Sequence, residues 1–482
     1  MIQRIDPKST PALPLPEAQA WPALIALCIG FFMILLDQTI VAVATPVLQA
    51  ELNASYSEII WVTSAYLLTF AVPLLITGRL GDRYGARSMY ITGMMIFTLS
   101  SLACGLAGSM TLLIIARAIQ GFGASLLTPQ TMSVINRIFA KERRGAALGV
   151  WGTVAGLAGL TGPLLGGLIT EAFGWQWIFF INLPLGVISV IAVWAFVPNM
   201  EKLERGIDIW SMVLSVLAVF AIVYALQEGE TAQWTWWVWA LIIVGIVLVY
   251  VFLRRQRYCE LQGKEPLMPL SLWKNRNFAF GNLGIAAMGF AVAGTPLPMM
   301  LYYQGVHDLT PLHAGLMMAP QAIVSAVLSP FVGRLADKIS PALLSAGGFA
   351  VYGLSFLLLG VCMMQQASLW WFGAIMVVSG LGTSFVWSPN STLTMRDVPL
   401  AQMGASSGVY NTTRQVGSVL GSAAIGAVLQ WRIAATEFAT AYGQAIFLAT
   451  VILFVGVTAS LYSHKHVVAQ RTADTASGRI GK

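Results

Sequence analysis

The feature that most constrains this chain is a series of apolar runs, each about as long as a membrane is thick. A helix needs about 20 apolar residues to cross about 30 Å of hydrocarbon. Fourteen such runs recur along the 482 residues. With 57% apolar and 10% charged residues, the chain lies far from a soluble domain, which has roughly 25% charged residues. The sequence therefore predicts an all-α polytopic membrane protein.

The runs fall into groups of six, two and six. They lie near 21–47, 57–77, 88–107, 110–136, 145–170, 175–197, 209–227, 235–253, 278–303, 311–332, 341–363, 368–394, 404–429 and 443–463. We predict two six-helix bundles separated by a linker that carries two extra transmembrane helices. The predicted divisions are a tail over 1–20, a bundle over 21–197, the linker over 198–277, a bundle over 278–463 and a tail over 464–482.

A short glycine-rich, charged segment occurs once in each predicted bundle. It reads G-R-L-G-D-R-Y-G-A-R from Gly78 to Arg87 and G-R-L-A-D-K from Gly333 to Lys338. We interpret both copies as tight loops between helices, and related halves of this kind are typical of secondary transporters. In the first copy, Asp82 is expected to pair with Arg83 or Arg87, or to cap the next helix.

These segments are predicted to form a latch that is made in one conformational state and broken in another. The alternative is that their positive charge only fixes the orientation in the membrane. The second copy favours the latch. The predicted latch residues are Gly78, Asp82, Arg83, Gly85, Arg87, Gly333, Arg334 and Asp337.

The distribution of basic residues predicts which side of the membrane each loop faces. Of the 27 Lys and Arg, the prediction places Arg117 and Arg414 in spans, Arg432 in an outer loop and all others on the inner side. Basic residues accumulate in cytoplasmic loops, so both termini are expected in the cytoplasm. The net charge of +7 then follows from topology and does not indicate nucleic-acid binding. We expect no removable signal peptide.

Asp37 is the one acid that the prediction places within a span. An ionised carboxylate there costs roughly 2.5–3.5 kcal/mol, so it needs water or another charge. Burial raises the proton affinity of a carboxyl group and a nearby arginine lowers it, which makes Asp37 a natural site for proton-linked switching. Arg117 is its predicted partner. The alternatives are a purely structural partner for Asp37 and a pair that acts only as a structural clamp.

Arg414 has no acid of its own within the predicted spans of the second bundle. Its neighbours Asn411 and Gln415 are compatible with a polar contact between helices or with a substrate-facing group, and the sequence leaves both open. An adaptable substrate cavity is predicted from polar, aromatic and methionine side chains, although each has packing or lipid contact as its alternative. The cavity residues are Trp61, Tyr66, Gln120, Met299, Tyr303, Trp387, Asn411 and Arg414.

The fifth predicted span carries a stripe of glycines that lets another helix approach closely. Proline within it removes one backbone donor and is expected to bend the helix. The glycines are Gly149, Gly152, Gly156, Gly159, Gly162, Gly166 and Gly167, and the proline is Pro163. Simple tight packing is the alternative, and a bundle that rocks needs the same smooth contact.

Together these segments resemble the fourteen-helix drug:proton antiporter branch of the major facilitator superfamily. The segment from Gly78 to Arg87 is similar to the motif G-x-L-x-D-R-x-G-R-K, and the segment from Leu36 to Pro46 to the motif L-D-x-T-I-V-N-V-A-L-P. Residues 117–123 are similar to R-x-x-Q-G-x-G. Residues 159–167 read G-L-T-G-P-L-L-G-G and resemble G-x-x-x-G-P-x-x-G-G, with one residue fewer before the G-P pair. The likeness extends over the whole chain, and the ordered set is far more specific than any one motif.

The resemblance implies alternating access, with Asp37 and Arg117 involved in coupling proton entry to the export of small amphipathic drugs or antibiotics. It further implies a bacterial inner-membrane protein, a monomer, whose partners are its substrate, protons and lipid. Two alternatives remain. One is an exporter dedicated to a lipid, siderophore or secondary metabolite, and the other is a sensor or scaffold that no longer transports.

We predict no enzyme activity, no cofactor other than the proton and no metal site. The chain shows no nucleophile and base set, and its four cysteines and four histidines lack ligand spacing. It departs from the family pattern at Gln176, where arginine is usual, and at Ala42, where asparagine is usual. Relatives that expel dications often carry an additional acid in the membrane domain of the second half, and none lies within the predicted spans of the second bundle. The resemblance therefore makes dications less expected as substrates than neutral, amphipathic or singly charged compounds.

Overall fold

The computed structural model describes the chain from residue 13 to residue 476, apart from positions 53, 55, 201, 203–205, 207 and 230. Side chains are further left undescribed at 42, 43, 45, 46, 56, 57, 60, 163, 311 and 465–476. Throughout the described residues the structure is helical and contains no strand. Most of the predicted tail over 1–20 and the end of the tail over 464–482 lie outside the described residues.

The first half of the chain folds into eight helices that pack mainly on one another. They are α1 (Glu17–Glu51), α2 (Tyr56–Ala71), α3 (Leu74–Tyr84), α4 (Ala86–Gly105), α5 (Met110–Ile138), α6 (Arg144–Phe173), α7 (Trp177–Phe180) and α8 (Asn182–Phe196). Two buried apolar clusters lie within this half. Helix α1 packs along α6, and α4 along α5.

The second half forms another packed group around a buried apolar cluster that also includes Leu75, Ile76 and Met132 of the first half. Its helices are α12 (Arg276–Gly294), α13 (Pro296–Gly305), α14 (Pro311–Lys338), α15 (Pro341–Met364), α16 (Leu369–Met395), α17 (Met403–Ile433) and α18 (Phe438–Ala476). Helix α15 packs on α16 and α18, and α12 on α17. The last predicted span, 443–463, lies within the part of α18 that is able to cross a membrane, Phe438–His464, and the helix itself continues to Ala476.

Two long helices and one short helix connect the halves: α9 (Ile209–Glu228), α10 (Trp236–Leu261) and α11 (Ser271–Lys274). Helices α9 and α10 pack on each other as a hairpin. A small apolar cluster joins this hairpin to both halves, through Leu68 of α2, Val223 of α9 and Val419 of α17. The hairpin therefore lies against the boundary between the two groups.

By length and hydropathy, thirteen described helices are able to cross a membrane, and the number rises to fourteen when one bent pair is counted as a single span. That pair is the predicted second span, which bends by 48° between residues 61–71 and 74–84. Pro73 lies at the break. Proline lacks the amide hydrogen that would continue the helical hydrogen bonds, which accounts for the bend.

Both glycine-rich segments are helical, so their prediction as loops was wrong. Residues 78–84 belong to α3, and residues 333–338 form the end of α14. Only Gly85 makes a turn, with a φ of 93° that favours glycine. The other glycines serve close approach between helices, as described below, and that use does not interrupt a helix.

A single carboxylate ties the base of α9 to the end of α10. Asp208, the residue before α9, accepts hydrogen bonds from Nε and Nη2 of Arg255 at 2.9 and 3.1 Å. These bonds from Arg255 hold the pKa of Asp208 well below its usual value of 3.8. The carboxylate also accepts from Ser211 Oγ at 2.6 Å.

We expect Asp208→Asn to lower the free energy of unfolding by about 1.5–3 kcal/mol, the usual contribution of hydrogen bonds to charged groups. A depressed carboxyl pKa stabilises the fold above the unfolded-state pKa, and this contribution is lost as pH falls through the folded-state pKa. The deficit should therefore be constant near neutrality and shrink below about pH 4. Thermal unfolding of the purified protein measures it, with Asp308→Asn as an exposed control. An equal deficit at every pH would contradict the assignment.

Candidate functional site

Asp37 of α1 and Arg117 of α5 form a buried ion pair inside the first half. Arg117 Nη1 lies 2.5 Å from Asp37 Oδ2, and neither side chain is more than 1% exposed. The structure thus brings together the two charges that the sequence predicted as partners. The acid faces another charge here and has no contact with solvent.

Two amides complete the surroundings of the Asp37 carboxylate. Gln120 Nε2 donates to Oδ1 at 3.0 Å, and Asn182 Nδ2 donates to the same oxygen at 3.3 Å. Gln120 was predicted for the substrate cavity but belongs to this fully buried network, because it lies one helical turn after Arg117. Sequence reasoning missed Asn182, although an asparagine at the start of an apolar helix was a visible signal.

Arg117 has other partners besides the carboxylate. Its Nε donates to the carbonyl oxygen of Val62 at 3.1 Å, and its Nη1 also donates to Gln120 Oε1 at 2.8 Å. The guanidinium carbon lies 4.2 Å from the ring centroid of Tyr66, close enough for a cation–π contact. Tyr66, another predicted cavity residue, is therefore buried under this arginine. Because of these partners, the guanidinium would keep hydrogen bonds and a cation–π contact after protonation of Asp37.

A second cluster of charges lies at the end of the molecule where α3 ends and α17 begins, which we call the Asp82 face. Asp82 accepts from Arg137 Nη2 at 2.5 Å and from the backbone amides of Gly404 and Ala405 at 3.2 and 3.1 Å. Its predicted pairing with Arg83 or Arg87 was wrong. Asp82 caps a helix of the opposite half, since the close approach of α3 and α17 places those amides nearer.

The other two arginines of this segment have different contacts. Arg87 Nη2 donates to the carbonyl oxygen of Trp194 at 2.6 Å, and Arg83 lies over the ring of Tyr84 at 5.4 Å. Asp82 itself is buried two residues before the end of α3, an eleven-residue helix.

Asp337 of α14 repeats this arrangement in the opposite direction. It accepts from the backbone amides of Gly145 and Ala146, at the start of α6, at 2.7 and 2.9 Å. A carboxylate at a helix start is stabilised by the helix dipole and by charge-assisted hydrogen bonds. Each half thus caps a helix of the other half at the Asp82 face. Arg334, also predicted for the latch, is exposed.

Glycines allow both contacts. A Cβ at Gly78 would overlap the carbonyl oxygen of Gly404 and lie 2.9 Å from Gly408 Cα. In the mirrored contact, a Cβ at Gly149 would lie 2.5 Å from the carbonyl oxygen of Ser329 and 2.9 Å from Gly333 Cα. Such distances to backbone atoms are below any real Cβ contact, so these positions require glycine while the face is closed.

A repeat in the sequence marks the two capped helices, and our reading of the sequence missed it. Helix α6 begins G-A-A-L-G-V-W at Gly145, and α17 begins G-A-S-S-G-V-Y at Gly404. In both stretches, the backbone amides of the first two residues donate hydrogen bonds to a carboxylate of the other half. The second glycine of each stretch allows a helix of the other half to approach closely. This pattern, G-A-x-x-G-V followed by an aromatic residue, was the available signal.

The glycine stripe of α6 changes surroundings along its length. Near the Asp82 face it contacts α14, and at Gly162 a Cβ would overlap Oγ1 of Thr39, two residues from Asp37. Toward the opposite end, a Cβ at Gly159 or Gly167 would meet nothing within 4 Å. The side chain of Pro163 lies outside the described part of the chain, and Gly166 is buried. The two halves are therefore in tight contact at the Asp82 face and leave open space at these glycines.

Four predicted cavity residues have packing contacts. Met299 and Tyr303 are buried in the apolar core of the second half, because α13 turns them inward. Trp61 lies 6.0 Å from Tyr224 of α9, ring centroid to ring centroid. Trp387 lies edge-on to Trp151 at 6.3 Å, across the boundary between the halves. Of these four, only Trp387 contacts both halves of the protein.

The last two predicted cavity residues lie on α17. Asn411 is buried, and its Nδ2 donates to the carbonyl oxygen of Ser407 at 2.9 Å. Arg414 is partly exposed. Among the described residues, its guanidinium has no carboxylate within ion-pair distance and no hydrogen bond.

Two packed groups of membrane helices, joined by reciprocal caps and holding a buried acid–arginine pair, define a secondary transporter rather than an enzyme. The family model described as Major Facilitator Superfamily matches residues 27–422. The chain belongs to that family, with the all-α membrane fold of two six-helix bundles that the sequence predicted.

Relatives with curated names are transporters. An uncharacterized MFS-type transporter of Mycobacterium tuberculosis is 45% identical over 86% of this chain and 71% of its own length. The multidrug resistance protein Stp of the same species is 33% identical over 86% of this chain and 76% of its own. The riboflavin transporter RibZ of Clostridioides difficile is 29% identical over 92% and 97%. Relatives of this chain thus include a protein named for drug resistance and one named for a vitamin.

Proposed function

We propose that the protein is a proton-coupled exporter of small amphipathic compounds that works by alternating access, with Asp37 as the coupling carboxyl. The observation that carries the proposal is the buried pair of Asp37 and Arg117. An ionisable pair within the membrane is retained where its charge state matters to function, since burying it costs free energy. The named drug-resistance relative supports export as the direction.

In this proposal a proton competes with Arg117 for Asp37. When Asp37 is ionised, the pair ties α1 to α5 and is neutral overall. When Asp37 takes up a proton, the ion pair is lost, and Val62, Gln120 and Tyr66 continue to hold the guanidinium. The loosened α1 lies against Gly162 of α6, the helix that contacts the second half. Protonation is thereby linked to the contact between the halves.

The Asp82 face is assigned to the cytoplasm of a bacterial inner membrane, with both termini on that side. Basic residues concentrate there, as in cytoplasmic loops. The described state, closed at this face, then has its open side toward the outside. The reciprocal caps from Asp82 and Asp337 act as the latch that must break before the cytoplasmic side opens. Both caps lie within one chain, which supports a monomer as the working unit.

The test is transport into inverted membrane vesicles under an imposed pH gradient. The panel consists of neutral and singly charged antibiotics and dyes. Some of these compounds should accumulate in the vesicles while the pH gradient is present, and their accumulation should stop when a protonophore dissipates it. Equal accumulation with and without the gradient would contradict proton coupling.

A second candidate is an exporter dedicated to one physiological compound, which the riboflavin-named relative favours. A growth defect on deletion without any drug present would support this alternative. Wild-type growth after deletion, together with drug sensitivity, would support the first.

A further inference from the structure

Arg414 stands deep within the membrane-spanning part of α17. It lies eleven residues after Met403, the first residue of the helix. At 1.5 Å per residue that is roughly 16 Å, about half of a hydrocarbon core about 30 Å thick. A charged side chain at that depth needs water, an opposite charge or a bound anion.

The side of α17 that carries Arg414 is polar and faces inward. At 100° per residue, four of its polar residues fall within an arc of about 60°. They are Ser407, Asn411, Arg414 and Ser418. On one side of this arc is Gly408, against α3 of the first half, and on the other is Gly421, against α12. Leu420, on the far side of the helix, is 41% exposed, as expected for the lipid side.

Arg414 differs from Arg117 in having no counter-charge. The charge of Arg117 is neutralised by Asp37 at 2.5 Å, and that of Arg137 by Asp82 at 2.5 Å. In the described part of the chain, no acid and no hydrogen-bond acceptor lies against the guanidinium of Arg414. The interior next to α17 therefore carries one uncompensated positive charge.

Neighbouring polar atoms on the same arc are also without partners. Ser407 and Asn411 are 0% and 1% exposed, and neither Ser407 Oγ nor Asn411 Oδ1 has a hydrogen-bond partner among the described residues. Buried polar atoms are nearly always satisfied, and the Ser407 hydroxyl, on the same arc as the Arg414 guanidinium, is a second donor open to an acidic group.

We infer that this polar face of α17 binds an acidic group, a carboxylate or sulfonate, on the compound that is transported. The preferred substrates are then singly negative amphiphiles, which narrows the sequence-based expectation of neutral or singly charged ones. A guanidinium binds such groups with two parallel hydrogen bonds that an ammonium or amide cannot reproduce. This inference rests on the proposed function, because the compound that binds at α17 is taken to be the compound that is exported.

The test is binding of a matched pair of probes to the full chain in phosphatidylcholine nanodiscs, where no anionic lipid supplies the acidic group. The probes are naphthalene-2-sulfonate and its neutral isostere naphthalene-2-sulfonamide, measured by equilibrium dialysis. We expect wild type to bind the sulfonate more tightly, and Arg414→Gln to weaken that binding by about 10- to 100-fold with little change for the sulfonamide. The affinity of Arg414→Lys for the sulfonate should lie between those of wild type and Arg414→Gln, because lysine keeps the positive charge but cannot donate two parallel hydrogen bonds.

Arg432→Gln is the matched control, since it removes an arginine from the last turn of the same helix. Removing an unpaired charge should leave the thermal stability of Arg414→Gln at or above that of wild type. The inference is overturned by equal affinity of wild type for both probes, by no sulfonate binding, or by equal loss of both probes in Arg414→Gln. Binding needs no pH gradient, so failure here and failure of proton coupling are separate results.

Discussion

Vesicles carrying Asp37→Asn are expected to lose gradient-driven transport entirely, down to the level of vesicles without the protein. Asparagine keeps the shape of the side chain but carries no exchangeable charge. The substitution also leaves Arg117 buried without its counter-ion, and breaking one partner of a buried pair usually costs about 3–5 kcal/mol of stability. Transport and thermal unfolding should therefore be measured on the same preparations.

Two further variants separate coupling from structure. Asp37→Asn combined with Arg117→Gln removes both charges, so stability should recover while gradient-driven transport stays absent. Asp308→Asn, an exposed acid, should behave as wild type. Exchange of substrate without a gradient should survive in Asp37→Asn if the pair serves coupling. Loss of exchange in a folded double variant would favour the structural clamp, and gradient-driven transport by folded Asp37→Asn would exclude Asp37 as the coupling group.

The second large effect is expected from Gly78→Leu, which should prevent the Asp82 face from closing. A side chain there would overlap backbone atoms of α17, which have no freedom to move aside. A penalty of about 5.5 kcal/mol is enough to reverse a 99:1 population, so we expect transport to fall by about 100-fold with the fold intact. Gly347→Leu is the matched control, because a Cβ at Gly347 meets nothing within 4 Å.

Distances between the two halves at the Asp82 face show directly whether that face is closed. Spin labels at Lys141 and Leu400, which line a cleft of about 490 Å³ between the halves, suit this measurement. The native cysteines would first be replaced by serine. Gly78→Leu should shift the distribution to longer distances and Gly347→Leu should not. A wild-type distance distribution in Gly78→Leu would show that the face closes without the glycine contact.

The membrane fold was predictable because a long apolar run has few options in lipid. Backbone groups there must be satisfied within the segment, so each run becomes a helix. The partnership of Asp37 and Arg117 was predictable for a related reason, since few charges lie within the first group of spans and each needs a partner.

The contacts of Asp82 were not predictable from its neighbours in sequence. Glycine near charged residues was interpreted as a loop, whereas Gly78 is in a helix and permits another helix to approach. The partner of Asp82 is the start of α17, more than 300 residues later, and such a cap depends on tertiary packing. Burial of Gln120, Met299 and Tyr303 likewise depends on how helices rotate, which apolar runs without clear periodicity do not fix.

The most direct test of proton-coupled export measures the protons themselves. Purified protein would be placed in liposomes containing a pH-sensitive dye, and a gradient of a transported compound would be imposed with no initial pH difference. Wild type should move protons against the direction of the compound, and Asp37→Asn should move none. Passage of the compound at the full rate with no accompanying proton movement in wild type would contradict the account.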